Sequence, residues 1–368
     1  MKTQVIDRRT LNRTLLRRQL LLARATMPAA EAIEHLVGVQ AQEPPVPYIT
    51  LWTRLDGFVP AELVALLQKR QAARVNALYR MTIHLVSADD AVEIRPLLQT
   101  LARRVLRNTY FGGNLHGLDT DEIVAVAKTL LSERPMTTAE LARALAERWP
   151  DRDPHSLAMA PRFLLPTVQP PPRGLWGQTG PPRMAPLDDW LGRPMADAPS
   201  VDRLVRRYLR AFGPALVADM ANWSGLTGLR AVFEQLRPEL RVARDASGRE
   251  LFDVPDGLMA APDEPAPVRF FGQYDNVFLG HADRSRIVPA DLAQWSAAPG
   301  RGGLTGSLTV DGFWAGGWRL VRSGDRATLQ VVLGSMVTAA SRAEVESEGG
   351  ALLRFLVGGE ADLSVELS

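Results

Sequence analysis

The chain has 368 residues, of which 46% are hydrophobic and none is cysteine. That length exceeds one ordinary core, and the missing thiols exclude a disulfide framework, a thiolate metal site and a cysteine nucleophile. Its 43 basic and 41 acidic residues leave a net charge of only +2, and every basic residue except Lys2, Lys69 and Lys128 is arginine, so a nucleic-acid partner requires charge gathered into a stripe. The spacing predicts an amphipathic helix over Asn12–Arg24 and a second over Pro28–Gln40, stopped by Glu43-Pro44-Pro45. Pro60–Gln71 reads as a proline-initiated helix, and Arg74–Ser87 as a strand with Met81, Ile83 and Leu85 on one face and Arg80, Thr82 and His84 on the other.

The pattern of helices followed by strands then repeats. A helix capped by Asp or Thr opens at Asp119, a second opens at Pro135–Thr138 and resembles the first helix of a helix-turn-helix, and Ser156–Pro166 reads as a recognition helix. Strands around Gly174 and Arg183 flank the turn at Thr179-Gly180. A third set runs from a helix at Ser200 to a hairpin around Asp245–Arg249. Pro255–Pro267 reads as a linker. Beyond it the chain turns β-rich, including Asn276–Gly280, with Asp311-Gly312 as a hairpin turn and one late helix over Ser341–Val357. The implied class is α+β, with three tandem winged-helix domains (1–116, 117–195, 196–262) scaffolded by a C-terminal β-barrel or curled sheet (263–368). The longest apolar stretches are broken by charge and Met1–Thr10 lacks a signal-peptide core, so a cytoplasmic protein without membrane contact is expected.

Gln40-Ala41-Gln42 carries the most information. The helical stripe Ile33, Leu36, Val37 places Gln40 where an apolar residue belongs, and a buried amide is costly without partners. In an extended backbone, residues two apart share a face. If the chain leaves the helix here, both amides converge on one cavity. A capping or surface role for the two glutamines is the bland alternative. The five histidines show no metal-ligand spacing, and no phosphate-binding or dinucleotide glycine loop is present, so neither metal nor cofactor is expected.

Leu36–Pro44, Arg80–Val86, Phe212-Gly213-Pro214 with Asp219 and Trp223-Ser224-Gly225, Gln273–Arg286 and Val310–Arg319 together resemble the tandem winged-helix DNA glycosylases of the azinomycin-resistance and interstrand-crosslink type. The order of these segments along nearly the whole chain is the specific signal. The resemblance implies three winged helices around a β-barrel, and catalysis by Gln40 and Gln42 in the glutamine-ending branch of the family's Gln-x-Gln/Asp motif. It implies double-stranded DNA bearing bulky N7-alkylguanine or a crosslink as substrate, in base excision repair or antibiotic self-resistance, by a bacterial monomer. Lys69, the lysine nearest the motif, sits on an expected surface helix, so a monofunctional enzyme leaving an abasic site is expected. Arg54, Arg80, His84, His281, Arg284 and Arg286 are candidate DNA contacts, the last two facing DNA together from one strand. An internal salt bridge of Asp275 or Asp283 with an arginine is the other reading of that segment. A non-enzymatic winged-helix regulator and a protein-interaction scaffold are the competing functions.

Overall fold

The computed structural model describes residues 4–289, 304–334, 337–358 and 362–368. Its organising element is the helix Arg8–Arg18, capped by Asp7, which accepts the Thr10 N–H at 2.9 Å. Leu11, Asn12, Arg13, Thr14, Leu15, Leu16 and Arg18 are all buried, so the helix is enclosed on most sides rather than amphipathic. It also ends earlier than the expected Asn12–Arg24, and Leu20 turns left-handed at φ 59°. A helix placed so deeply must satisfy its polar groups inside the protein. Asn12 Nδ2 donates to the carbonyls of Arg286 at 2.7 Å and Gly312 at 2.8 Å. Arg18 donates to both carboxylate oxygens of Asp253, at 2.7 and 2.9 Å.

Strand pairing joins segments that the sequence separates. Val39–Gln40, His84–Ser87, Ala72–Val75, Thr167–Val168, Arg183–Pro186 and Met136–Thr137 lie in that order in one six-stranded sheet. The seam is the antiparallel pairing of Val75 with Val168. Two wings expected to be separate are therefore continuous. The single strand expected over Arg74–Ser87 is a hairpin instead, because Ala77, Arg80 and Met81 adopt left-handed backbone at φ 48°, 52° and 60°. The segment around Gly174 is not a strand; Thr167–Val168 takes its place beside Arg183–Pro186. Helices Thr120–Glu133, Thr138–Arg148 and Pro154–Leu164 pack beside this sheet, the second opened by a reciprocal Thr137–Glu140 cap.

A second sheet orders Val5–Ile6, Arg241–Asp245 and Glu250–Asp253, the first pair parallel, next to helices Val201–Phe212, Val217–Ser224 and Leu229–Leu236. The third sheet runs Arg269–Gly272, Thr305–Val310, Phe313–Ser323, Arg326–Leu333 and Asp362–Leu367, with helix Ala339–Val357 packed on it. Asp311-Gly312 forms the expected two-residue turn, both residues at positive φ. Among the described residues this sheet is open and no closed barrel is found, where a β-barrel or curled sheet was expected. Asn276–Leu279 is a short helix and Arg284–Arg286 a 3-10 turn, where strands were expected. Among the described residues no helix is long and apolar enough to cross a membrane.

One buried ion pair ties the first part of the chain to the last. Arg54 donates to Asp275 at 2.6 and 2.9 Å, and both side chains are 0% exposed. This is the internal salt bridge offered by the alternative reading of the 273–286 segment. Removing one partner strands a charge in the interior, which costs about 3–5 kcal/mol. Asp275→Ala is therefore expected to lower the unfolding free energy by about that amount in urea denaturation; a loss below about 1 kcal/mol would mean that water reaches the pair.

Candidate active site

The glutamine motif leaves its helix five residues sooner than its spacing predicts. The helix Ala29–His35 stops because Val37 and Gly38 both turn left-handed, at φ 56° and 89°. Gly38 is required there twice over. Its backbone region disfavours other residues, and a Cβ would lie 2.4 Å from Val86 Cγ1 and 3.0 Å from the Leu85 carbonyl. The turn feeds Val39–Gln40 into the sheet edge, pairing Val39 with Leu85 and Gln40 with His84. The next peptide is held from both sides. Ala41 N–H donates to the Ile83 carbonyl at 2.8 Å, and Arg74 Nη2 donates to the Ala41 carbonyl at 2.8 Å. Asn276 Nδ2 adds a bond to the Gly38 carbonyl at 2.8 Å. Extended backbone then carries both amides to one side. Gln40 and Gln42 line a single cleft of about 520 Å³ together with Thr82, Met159, Arg162 and Tyr274.

The two glutamines differ in character. Gln40 is buried, and its Oε1 accepts from Arg80 Nη2 at 2.9 Å. Arg80 Nη1 also donates to the Trp223 carbonyl, so the guanidinium braces Gln40 against the helix Val217–Ser224. Burial pushes the Arg80 pKa down, and the nearby charge of Arg284 adds to that. Gln42 is exposed. Backbone strain collects around the pair: Ala77, Met81 and Tyr274, all lining the cleft, have φ of 48°, 60° and 63°, and Arg80 has 52°. Each such residue costs about 1–2 kcal/mol, and functional sites are where surrounding structure holds such strain. Tyr274 is 51% exposed, yet its neighbour Asp275 is locked by Arg54.

The other residues singled out from sequence divide sharply. Arg54, His84, His281 and Arg286 are buried and engaged internally. His281 Nε2 meets the Phe212 carbonyl at 3.0 Å, and Arg286 donates to the Pro214 carbonyl at 3.1 Å. In this conformation they offer DNA nothing, and Arg284 and Arg286 do not face outward together. Arg284 is exposed. His84 stands beside Gln40 in the sheet register but within the core, where burial and the charge of Arg80 push its pKa down to about 3. Sequence reasoning missed Arg74, Arg162 and His155. Arg74 was read only as the start of a strand; nothing local announces that its guanidinium clamps the motif, or that Gly174 makes room for it.

Residues 33–355 match the family described as DNA glycosylase AlkZ-like. The chain belongs to that family, and it is a DNA N-glycosylase, which sets aside the regulator and scaffold readings. Among solved structures it is similar to the Streptomyces sahachiroi DNA glycosylase AlkZ, with a TM-score of 0.78 and 18% identity over 99% of this chain and 100% of that one. At that identity the likeness speaks for the fold. No curated protein gives a significant match.

Two consequences can be measured. Gly38→Ala forces a methyl against Val86 and should cost about 2–4 kcal/mol in denaturant unfolding while displacing Gln40; a neutral substitution would contradict the turn's role. His84 remains neutral in the folded protein down to about pH 3, whereas the unfolded chain protonates it below about pH 6.5. Stability therefore falls as pH drops through that window, by up to about 1.4 kcal/mol per pH unit from this group. His84→Gln should flatten the slope of unfolding free energy between about pH 7 and about pH 5; an unchanged slope would mean the native histidine is already charged.

Proposed function

We propose that the enzyme hydrolyses the N-glycosidic bond of N7-alkylguanine in duplex DNA, bulky adducts and interstrand crosslinks included, and leaves an abasic site. The observation that carries this reading is the chemistry of the cleft lining, which holds the amides of Gln40, Gln42 and Asn76 and no Asp, Glu or Lys among the described residues. Amides neither ionise usefully nor act as strong bases. A neutral nucleobase leaves only with help from an acid. N7-alkylguanine already carries a positive charge, so the C1′–N9 bond breaks with its electron pair neutralising the purine. What the protein must supply is a placed water and an environment that tolerates the developing oxocarbenium ion.

Gln40 and Gln42 suit that task. Arg80 occupies one lone pair of Gln40 Oε1 and fixes the amide, leaving the other lone pair free. The Gln42 amide is exposed on the same cleft. The two carbonyl oxygens accept the hydrogens of one water, turning its lone pair toward C1′; after attack the water's proton passes to solvent. Among the described residues no lysine lines the cleft to form a Schiff base, in keeping with hydrolysis alone. We read the three helix clusters and their hairpins as winged-helix units gripping the duplex from an open cleft, with the exposed Arg284 as a backbone contact. An open cleft suits a lesion that cannot be flipped into a tight pocket. Repair in a bacterial cytoplasm, or self-protection in a producer of DNA-alkylating antibiotics, is the setting that fits.

Duplex DNA carrying N7-alkylguanine, incubated with enzyme and then heated in alkali, should break at the lesion. Gln40→Ala and Gln42→Ala should each slow single-turnover release by about 10²–10⁴-fold, roughly 3–5 kcal/mol, with DNA affinity little changed. Wild-type release rates in the double variant would remove both residues from the mechanism.

A further inference from the structure

One helix, Pro154–Leu164, lines the same cleft as the glutamine motif. His155, Met159, Arg162 and Phe163 all line the cleft, a spacing that places one stripe of the helix along it. His155 and Arg162 stand two turns apart, about 10 Å along the axis. Arg162 is the only cationic side chain among the described residues that line the cleft, and no carboxylate accompanies it there.

That isolation sets it apart from the protein's other enclosed arginines. Arg13, Arg18, Arg54 and Arg269 face carboxylates, and Arg74, Arg80 and Arg95 donate to carbonyl oxygens. Arg162 has neither a carboxylate nor a carbonyl partner among the described residues. Burial alone, with no neighbouring charge, pushes its pKa down. A half-enclosed guanidinium without a counter-charge is unfavourable in the free protein, because desolvation is not offset by an ion pair. Its planar donor fork matches the two unbridged oxygens of a phosphodiester.

We propose that Arg162 is a phosphate-binding residue that seats the DNA backbone beside the damaged nucleotide and so places its C1′ against Gln40 and Gln42. The proposal rests on the glycosylase reading for the identity of its ligand, DNA. Arg162 and the motif line the same cleft, so the bound strand would be held between the helix and the motif. Tyr274, half-exposed at the same cleft, lies alongside that path.

The test uses undamaged and lesion-bearing versions of one duplex, with wild-type, Arg162→Gln and Arg162→Lys proteins. Binding of the undamaged duplex is followed across a salt series. Losing one phosphate contact lowers the slope of log K against log salt by about 0.9, and that is the result expected for Arg162→Gln. Arg162→Lys should restore most of the slope, because a point charge suffices for counterion release, but not the full excision rate, which needs the fork. The melting temperature of Arg162→Gln should be unchanged or higher, since an uncompensated charge has been removed. An unchanged slope, or a melting temperature that falls along with affinity, overturns the proposal in favour of a structural role. The two readings fail separately. A wild-type enzyme that releases no N7-alkylguanine while the slope still drops defeats the substrate and leaves the phosphate site standing. Normal release with an unchanged slope defeats only Arg162.

Discussion

The cleft depends on the ion pair between Arg54 and Asp275, both of whose side chains are fully withdrawn from water. Arg54 follows the helix Val46–Trp52, which begins just after the glutamine motif, and Asp275 opens the short helix Asn276–Leu279. The next residue, Asn276, bonds the Gly38 carbonyl, and the preceding one, Tyr274, lines the cleft. A single desolvated contact thus sets the motif strand against the segment that frames it. Such pairs contribute little net stability, because desolvation offsets most of the attraction. What this one supplies is position: with both charges buried, neither partner has an alternative place to go.

Around that anchor the protein holds several residues in backbone regions that ordinary side chains avoid. The turn through Val37 and Gly38 and the left-handed run at Ala77, Arg80 and Met81 approach the cleft from two strands that pair with each other. The clamp of Arg74 on the Ala41 carbonyl and of Arg80 on Gln40 stiffens the motif between them. In the proposed mechanism this rigidity answers the chemical weakness of an amide pair. Groups that cannot take a proton can still lower a barrier if they hold a water in place before the bond breaks.

The local features were legible in the sequence where they depended on near neighbours. The Asp311-Gly312 hairpin, the late helix, the helix opening near Thr137 and the escape of Gln40 from its helix into extended backbone all follow from short-range chemistry. The escape point was misplaced because Pro44 and Pro45 looked like the stop signal, while the actual break is the left-handed turn through Val37 and Gly38, where Val86 leaves no room for a Cβ at position 38. Features built from distant residues were not legible. Alternation over Arg74–Ser87 concealed a hairpin, and nothing in either segment foretold the pairing of Val75 with Val168. Arg284 and Arg286 looked like alternating strand residues, but Asp283 caps a 3-10 turn there and sends Arg286 inward. Arg162 carries meaning only because a strand more than a hundred residues earlier lines the same cleft.

In the proposed reaction the lesion's own charge is the decisive partner of two neutral side chains, and the most direct measurement varies that charge alone. Single-turnover release should be compared for N7-methylguanine and for neutral damaged bases of similar size, such as 8-oxoguanine and hypoxanthine, in the same duplex and at the same position. Release of the cationic base with none from the neutral ones is the predicted result. Release of a neutral base at a comparable rate would contradict the account, because the protein would then be supplying an acid that the two glutamines cannot provide.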